Sequence, residues 1–217
     1  MLSVTFYLFS WHSVYNDSNL YGALTMSALP QKNMTEADYL EFERGSDTRH
    51  EYLSGQIYAM SGASRNHNII SSNINGLLYN HLDESPCEHY QSDMRVHIPA
   101  TGLYTYPDLS VACAEIQLLD DKFDTLLNPV IIFEVLSATT EKYDRGEKFQ
   151  SYRTLPSLQE YVLISQNQAR IEHYLRQKDN KWSLTDVLGL NATFELPSIK
   201  LVLALDDVYR KVSFIFP

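Results

Sequence analysis

The sequence predicts a single α/β or α+β domain, and three observations favour this fold class. The segment Val130–Leu136 is apolar and rich in β-branched and aromatic residues, with one charge, as is typical of a strand buried on both faces. The segment Ser64–Leu82 carries apolar residues at helical spacing. Strand-like and helix-like segments fill the rest of the chain without a Pro-, Gly- or Ser-rich linker. We therefore expect one hydrophobic core and one domain.

The first part of the chain differs from the rest. Residues 1–33 mix aromatic residues with Asn and Ser and show no clear periodicity. We expect them to form a poorly structured N-terminal extension, so that the domain spans residues 34–217. At the start of the domain, Thr35 followed by Asp38 resembles a helix capping box and predicts a short helix.

A hairpin and a long helix are predicted next. Two brief strand-like runs in His50–Met60 surround Ser54 and Gly55, which indicates a hairpin. Beyond the helix Ser64–Leu82, the pattern predicts further elements in quick succession. These are strands at Glu88–Ile98, Tyr106–Cys113 and Val130–Leu136, a helix at Asp144–Arg153 with Asp144 and Glu147 as a capping box, strands at Glu160–Ser165, Ala169–Arg176 and Lys181–Leu188, short strands at Phe194–Leu196 and Ile199–Leu203, and a closing helix from Leu205.

Composition narrows the function classes. The net charge is -10 and the isoelectric point is near 5.1, which argues against a general nucleic-acid binder. This argument is weak against an enzyme, because a carboxylate cluster that binds metal adds acid. Cys87 and Cys113 cannot build a disulfide framework and lack zinc-site spacing, so we expect reduced cysteines and a cytoplasmic location. The apolar start of the chain is far too short to span a bilayer, and we expect no membrane association.

The candidate site begins with the one charge in the buried strand. Glu134 interrupts Val130–Leu136, and an unpaired buried carboxylate costs several kcal/mol or more, so it must be neutralised, paired or bound to a cation. Asp108 follows Pro107, which cannot donate to a sheet and therefore marks the start or edge of a strand. If the two strands pair, Asp108 and Glu134 converge at one rim of the sheet.

Two adjacent carboxylates repel one another unless a cation lies between them. A hard divalent ion with oxygen ligands, Mg²⁺ first and Mn²⁺ as the alternative, satisfies this requirement and can activate water for attack on phosphorus. Lys148, on the helix that follows Glu134, is the candidate for a further positive charge at the developing phosphorane.

These residues carry a resemblance to a known group of proteins. Pro107-Asp108 followed by Glu134 resembles the PD-(D/E)XK nuclease superfamily of restriction endonucleases. Glu134-Val135-Leu136-Ser137 with Thr139, Thr140, Asp144, Lys148 and Tyr152 is similar to the Uma-two family of restriction-endonuclease-like proteins. The resemblance covers roughly Thr35–Val208 and also includes the Glu51 hairpin, the helix near His67 and Pro156–Tyr161. It implies a mixed central sheet flanked by helices.

One position departs from the superfamily pattern. The usual motif has Lys two residues after the acid, whereas this chain has Leu136. The family resemblance implies that the lysine has moved to the following helix, as Lys148. Glu51 is a third candidate acid for the metal, or else a cross-strand partner of Arg49 or His50.

Structural alternatives remain open for each residue taken singly. Asp108 could accept a hydrogen bond in a turn, Glu134 could belong to a buried ion pair, and Asp144 could cap a helix. Lys148 could be a solvated helix lysine, and His67 could be a helix-start or core histidine rather than a base. The set in chain order is more specific than any one member.

The function expected from the sequence is a metal-dependent endonuclease that hydrolyses DNA. In this hypothesis Asp108, Glu134 and Glu51 bind the metal, and Lys148 orients water and stabilises charge. The residues expected to contact DNA phosphates are Arg65, Arg95, Lys142 and Arg145. A homodimer is expected because cutting both strands of a duplex needs two sites. The rival is a nuclease-fold module that binds DNA or protein without turnover.

Overall fold

The structure is a computed structural model that describes residues 33–214. Residues 1–32 of the expected N-terminal extension lie outside the described residues. The helices are α1 (Glu36–Arg44), α2 (Arg65–Leu82), α3 and α4 (Leu205–Val208), where α3 is one continuous helix made of Glu141–Tyr143, a π-helical turn Asp144–Lys148, and Phe149–Tyr152.

The strands are short, and their residues form two larger sheets and a ribbon. In chain order they are β1 (His50–Leu53), β2 (Gln56–Ala59), β3 (Cys87–Gln91), β4 (Arg95–Ile98), β5 (Leu103–Thr105), β6 (Leu109–Cys113), β7 (Thr125–Leu126), β8 (Ile131–Leu136), β9 (Glu160–Ser165), β10 (Arg170–Arg176), β11 (Trp182–Leu188), β12 (Thr193–Leu196) and β13 (Leu201–Ala204).

The central sheet has six strands in the order β11-β10-β9-β8-β6-β3. Strands β8 and β9 are parallel because α3 connects them as a crossover, and the other pairs are antiparallel. The sheet is therefore mixed, as the family resemblance implied. A second sheet has the order β2-β1-β5-β4-β7, and β12 pairs with β13 in a separate ribbon.

Both faces of the central sheet are covered, which explains why β8 is apolar on both sides. Phe133 and Val135 pack with the buried face of α2, including Ile74, and with the ribbon and α4. Ile132 and Leu136 point to the other face, where they pack with residues of the second sheet and of α3. This alternation agrees with the prediction from the sequence and puts Glu134 on the face of the second sheet and α3.

The first helix and the hairpin form as predicted. The Thr35 side chain accepts from the backbone N–H of Asp38, and the Asp38 side chain accepts from the N–H of Thr35, so the capping box closes the start of α1. Strands β1 and β2 pair around Ser54 and Gly55, which both have positive φ. Hairpin and helix meet through Tyr39, whose ring stacks on Tyr52 at 5.0 Å.

Three predicted element boundaries were wrong. The predicted strand Glu88–Ile98 is two strands, because a turn in which Met94 N–H donates to the Gln91 carbonyl directs β3 into the central sheet and β4 into the second sheet. Strand β6 begins at Leu109 rather than Tyr106, as expected if Pro107 cannot join the ladder. The helix predicted at Asp144 begins at Glu141, so Asp144 lies inside it and the capping box expected there does not form.

The two cysteines are not free thiols in this structure. Cys87 on β3 and Cys113 on β6 occupy directly opposed positions and form a disulfide. This corrects the expectation of reduced cysteines, which rested on their small number rather than on their positions. Among residues 33–214, no helix is both long enough and apolar enough to cross a membrane.

Candidate active site

The predicted site residues line a single large cleft of about 840 Å³. Its walls are the hairpin β1–β2, the first half of α2, the adjoining ends of β6 and β8, and α3. The predicted residues among its lining are Glu51, His67, Asp108, Glu134, Asp144 and Lys148. The fold therefore brings together residues that are far apart in sequence.

Asp108 and Glu134 meet because β6 and β8 pair in antiparallel register. The last ladder pair is Leu109 with Phe133, so the next positions along the two strands, Asp108 and Glu134, are opposed at the rim. The N–H of Val135 donates to Asp108 Oδ2 at 2.7 Å and fixes that carboxylate at the rim. The convergence expected from pairing of these strands is confirmed.

Lys148 reaches back from α3 into this rim. Its Nζ lies 2.9 Å from Glu134 Oε1, 3.1 Å from Glu51 Oε1 and 3.7 Å from Asp144 Oδ1. Only 5% of the Lys148 surface is exposed, so it is not the solvated helix lysine of the alternative interpretation. The family resemblance implied that the amine comes from the helix after Glu134, and the structure agrees.

The π-helical turn contributes to this arrangement. Asp144 and Lys148 are the first and last residues of the turn, and both are buried against the cleft. Tyr161 on β9 donates its hydroxyl to the Asp144 carbonyl at 3.0 Å, which engages a backbone group inside the turn. Such turns are rare and often occur at functional sites, where they change the direction of side chains.

Neighbouring hydroxyl groups orient the two glutamates. Tyr152 donates to Glu134 Oε1 at 3.0 Å, and the Thr105 hydroxyl donates to Glu51 Oε1. Glu51 therefore contacts Lys148 and Thr105, whereas Arg49 pairs with Asp93 and His50 pairs with Glu43. The alternative that Glu51 is a cross-strand partner of Arg49 or His50 was wrong.

His67 contacts the other carboxylate. Its Nε2 lies 2.8 Å from Asp108 Oδ1, and both side chains are largely but not fully buried. The Ser64 hydroxyl accepts from the backbone N–H of His67 and so caps α2 at this point. His67 is therefore both a helix-start residue and a direct partner of Asp108.

Burial raises the pKa of Glu134 well above its ordinary value, and the nearby Asp144 and Asp108 add to the increase. Burial opposes the charge on Lys148 too, but the carboxylates of Glu134 and Glu51 outweigh it and raise the lysine pKa. Burial likewise raises the pKa of Asp144. The cluster thus holds a charged lysine among more carboxylates than it can neutralise, which favours a further cation.

Comparisons with known proteins agree with this geometry. The model of the Uma2 family, described as "putative restriction endonuclease", matches residues 36–206. The chain belongs to the Uma2 family. The family is the Uma-two family that the motif residues indicated, and the match covers all the site residues named above.

Relatives of this Uma2 protein cover nearly the same length. "Uncharacterized protein slr1290" of Synechocystis sp. is 40% identical over 185 residues, which are 85% of this chain and 96% of the relative. "Uncharacterized protein sll1609" of the same organism is 38% identical over 170 residues, or 78% and 96% of the two chains.

A solved structure shares the fold of this Uma2 protein. It is titled as a putative nuclease belonging to DUF820 from Anabaena variabilis, with a TM-score of 0.68 and 17% sequence identity. The alignment covers 81% of this chain and 97% of that one. This likeness confirms the predicted nuclease-like fold.

The acids of this Uma2 site suit an ion that keeps several water ligands better than one coordinated entirely by protein side chains. Within residues 33–214, no group of three or more His, Cys, Asp or Glu side chains is arranged to hold a metal. Mg²⁺ commonly takes one or two carboxylates and keeps several waters. Asp108 and Glu134 at one rim fit that requirement. Glu51 stays a candidate third ligand, because Lys148 and Thr105 contact its Oε1 in the same way as Lys148 and Tyr152 contact Oε1 of Glu134.

Of the four residues expected to contact phosphates, two are engaged inside the protein and two are exposed. Arg95 is 2% exposed and donates to Thr125 and Tyr106, so its assignment as a phosphate contact was wrong. Arg145 is bound by Glu172 and Glu141, which leaves little of its charge for a substrate. Arg65 and Lys142 are exposed and remain candidates.

Sequence reasoning missed part of this Uma2 site. The sequence favours a helix cap as the role of Asp144, although the family resemblance includes this residue, and the role of Tyr152 as a donor to Glu134 was not predicted. Tyr143 also lines the cleft. One signal was present, because Asp144, Lys148 and Tyr152 repeat at four-residue spacing and therefore share one side of a helix.

Proposed function

We propose that this chain is a metal-dependent endonuclease that hydrolyses DNA phosphodiester bonds. The observation that carries the proposal is the convergence of Asp108, Glu134 and Lys148 in one cleft, with Lys148 Nζ 2.9 Å from Glu134. Two carboxylates can bind a metal ion and a buried amine can stabilise negative charge, and phosphodiester hydrolysis needs both. Membership of a family described as a putative restriction endonuclease supports the same class of substrate.

Asp108 and Glu134 would hold the metal, with Glu51 as the candidate third ligand. Mg²⁺ is the first candidate ion and Mn²⁺ is the second. Mg²⁺ would supply positive charge to the phosphate and lower the pKa of water. The chain fixes both carboxylates before substrate binds, because Val135 N–H and His67 contact Asp108 while Tyr152 contacts Glu134. Such contacts orient ligands and restrict their motion.

Lys148 would stabilise negative charge on the phosphate during the reaction. Its amine stays protonated because Glu134 and Glu51 raise its pKa. A buried, fixed positive charge acts more strongly than a solvated one, since little water screens it. Glu51 then acts as a positioning residue, which holds the amine at the rim together with Glu134.

The rival function is a nuclease-fold module that binds DNA or protein without turnover. The contacts of Lys148 with both glutamates favour it, because this ion-pair network could be structural and independent of metal. Leu136 in place of the usual lysine and the net charge of -10 point the same way. The two functions differ in whether phosphodiester bonds break.

A plasmid-nicking assay separates these possibilities. We expect the parent protein to nick supercoiled DNA with Mg²⁺ or Mn²⁺ and to stop on addition of EDTA. Asp108→Ala should abolish nicking, whereas Asp93→Ala should retain it, because Asp93 lies on an exposed turn with its side chain 79% exposed. Nicking that persists in Asp108→Ala or in EDTA would rule out the proposed mechanism.

We further propose a homodimer, since double-strand cleavage needs two sites, one for each strand. We propose a cytoplasmic location because DNA is the proposed substrate; the expectation of reduced cysteines no longer supports it, since Cys87 and Cys113 form a disulfide. Light scattering coupled to gel filtration would test the dimer, and a monomeric mass at the concentration that cuts both strands would contradict it.

A further inference from the structure

Helix α2 is unusually poor in negative charge for this chain. Its 18 residues, Arg65–Leu82, contain no Asp or Glu, although the whole chain holds 27 acidic residues and has a net charge of -10. The absence is local, because Asp83 and Glu84 follow directly after the helix. One wall of the cleft is therefore free of the repulsion that an acidic surface would exert on a polyanion.

The polar side of α2 faces the cleft. Ile70, Ile74 and Leu78 are buried in the core, whereas Asn68 and Ser72 line the cleft and are exposed. The Ser72 hydroxyl can donate a hydrogen bond to a phosphate oxygen without adding charge, whereas the amide of Asn68 already donates to the carbonyls of Ala63 and Ser64. This side of the helix suits the backbone of a nucleic acid.

A second concavity continues from this side of α2. It has a volume of about 360 Å³ and is lined by Arg65, Asn68, Ile69, Ser72, Asn73 and Lys211. Asn68 and Ser72 line both this groove and the cleft. The groove therefore adjoins, across these two residues of α2, the cleft that contains Asp108 and Glu134.

The C-terminal segment that carries Lys211 is tied to α2. Asn73 donates its side-chain N–H groups to the carbonyls of Val208 and Arg210 at 2.9 and 2.8 Å. Asn66 donates to the carbonyl of Ser213 at 3.0 Å. These contacts on either side of Lys211 hold its backbone next to Arg65, so the two cations share a fixed groove.

The two cations of the groove are available to a ligand. Neither Arg65 nor Lys211 has an ion pair with another residue of the described range 33–214, and both are exposed. Several other arginines are engaged by acids, including the adjacent Arg210, which pairs with Asp207. The groove thus presents two positive charges in a chain whose net charge is negative.

We propose that the groove between Arg65 and Lys211 binds a backbone phosphate of the DNA strand whose scissile phosphate lies in the cleft. This inference rests on the proposed function and assigns that site a flanking phosphate subsite. Asn68 and Ser72 line both concavities, so the groove suits a phosphate near the scissile one on the same strand.

The salt dependence of DNA binding tests the subsite. Binding of a short labelled duplex is measured by fluorescence anisotropy in EDTA over a series of salt concentrations. For Arg65→Ala/Lys211→Ala we expect weaker binding and a slope of log K against log salt that is shallower by about 0.9, since each neutralised phosphate contributes about 0.9 and the groove binds one phosphate. Parent and variant should have the same circular dichroism and melting temperature.

The matched control is Arg153→Ala/Lys200→Ala. It removes the same charges from exposed positions outside both concavities, and Lys200 has a positive φ of 55°, as Lys211 has at 65°. This control should leave the slope unchanged. An equal loss of slope in the control would overturn the subsite, because it would show a general charge effect.

The remaining outcomes separate the subsite from the proposed function. A parent that nicks DNA while Arg65→Ala/Lys211→Ala keeps the parental slope would overturn the subsite alone. A specific loss of slope in a protein that never nicks DNA would support the phosphate site and contradict the endonuclease. A parent that does not bind DNA would overturn the subsite.

Discussion

Lys148 Nζ lies 2.9 Å from Glu134 Oε1, although the two residues belong to different elements, α3 and β8. The position two residues after Glu134, where the superfamily pattern has lysine, is Leu136, and this side chain packs in the core. Lys148 instead brings its amine to the rim from α3, the helix that packs against the same face of the sheet. The proposed hydrolysis of a phosphodiester requires such a positive charge beside the carboxylate of Glu134.

A divalent cation should stabilise the protein. Mn²⁺ at about a hundredfold excess over its Kd should add about 2.7 kcal/mol to the free energy of unfolding and raise the Tm by several degrees. Asp108→Asn should lose most of this shift, since it removes a proposed ligand, whereas Asp93→Asn should keep it. Differential scanning calorimetry with and without EDTA measures the effect. An equal shift in both variants would place the ion elsewhere.

His67 should affect metal affinity through Asp108. His67→Ala removes the partner 2.8 Å from Asp108 Oδ1, and loss of such an orienting contact typically costs about 10- to 100-fold in metal affinity or activity. Titration of nicking with Mn²⁺ should show a higher half-saturating concentration, with partial recovery at high Mn²⁺. His81→Ala is the matched control on the same helix, because His81 bonds only to the Ile199 carbonyl in the described range. A His67→Ala titration curve that overlays the parental curve would contradict the positioning role.

Asp124 should stabilise the fold in a pH-dependent way. Hydrogen bonds from Arg44 hold the pKa of its carboxyl well below the ordinary value of 3.8. The stabilisation is therefore fully present above about pH 4 and is lost as the pH falls through the lower native pKa. We expect Asp124→Asn to lower the free energy of unfolding by about 1 kcal/mol at pH 7, a figure reduced for partial exposure.

Urea denaturation at neutral pH and at decreasing acidic pH measures this effect. The difference between parent and Asp124→Asn should shrink in acid, where both carry an uncharged side chain. Asp93→Asn should have little effect at any pH, because its partner Arg49 is an exposed residue. A difference for Asp124→Asn that grows in acid would contradict the assigned direction of the pKa shift.

The elements that follow from local pattern could be predicted well. The Thr35 and Asp38 capping box gave the start of α1, and the apolar run with Glu134 gave β8 and its two-sided burial. In both cases neighbours in sequence decide the outcome. The convergence of Asp108 and Glu134 at one rim was predicted only on the condition that their strands pair, which they do.

Features decided by distant contacts were harder to predict. Arg95 resembles a surface cation in sequence, but Thr125 and Tyr106 enclose it. The π-helical turn that includes Asp144 has no marker in sequence, and a distant tyrosine, Tyr161, contacts its backbone. The placement of Lys148 followed from family resemblance, since a helical lysine alone is more often solvated.

Nicking by a Lys148 variant tests the central claim most directly. Lys148→Met keeps much of the buried volume and removes the charge that contacts Glu134 and Glu51. Lys181→Met is the matched control, since its side chain is 81% exposed. We expect Lys148→Met to lose at least about 100-fold in nicking rate with Mg²⁺, as expected for a group that stabilises transition-state charge, and Lys181→Met to retain the parental rate. A Lys148→Met protein that folds and nicks at the parental rate would contradict the account.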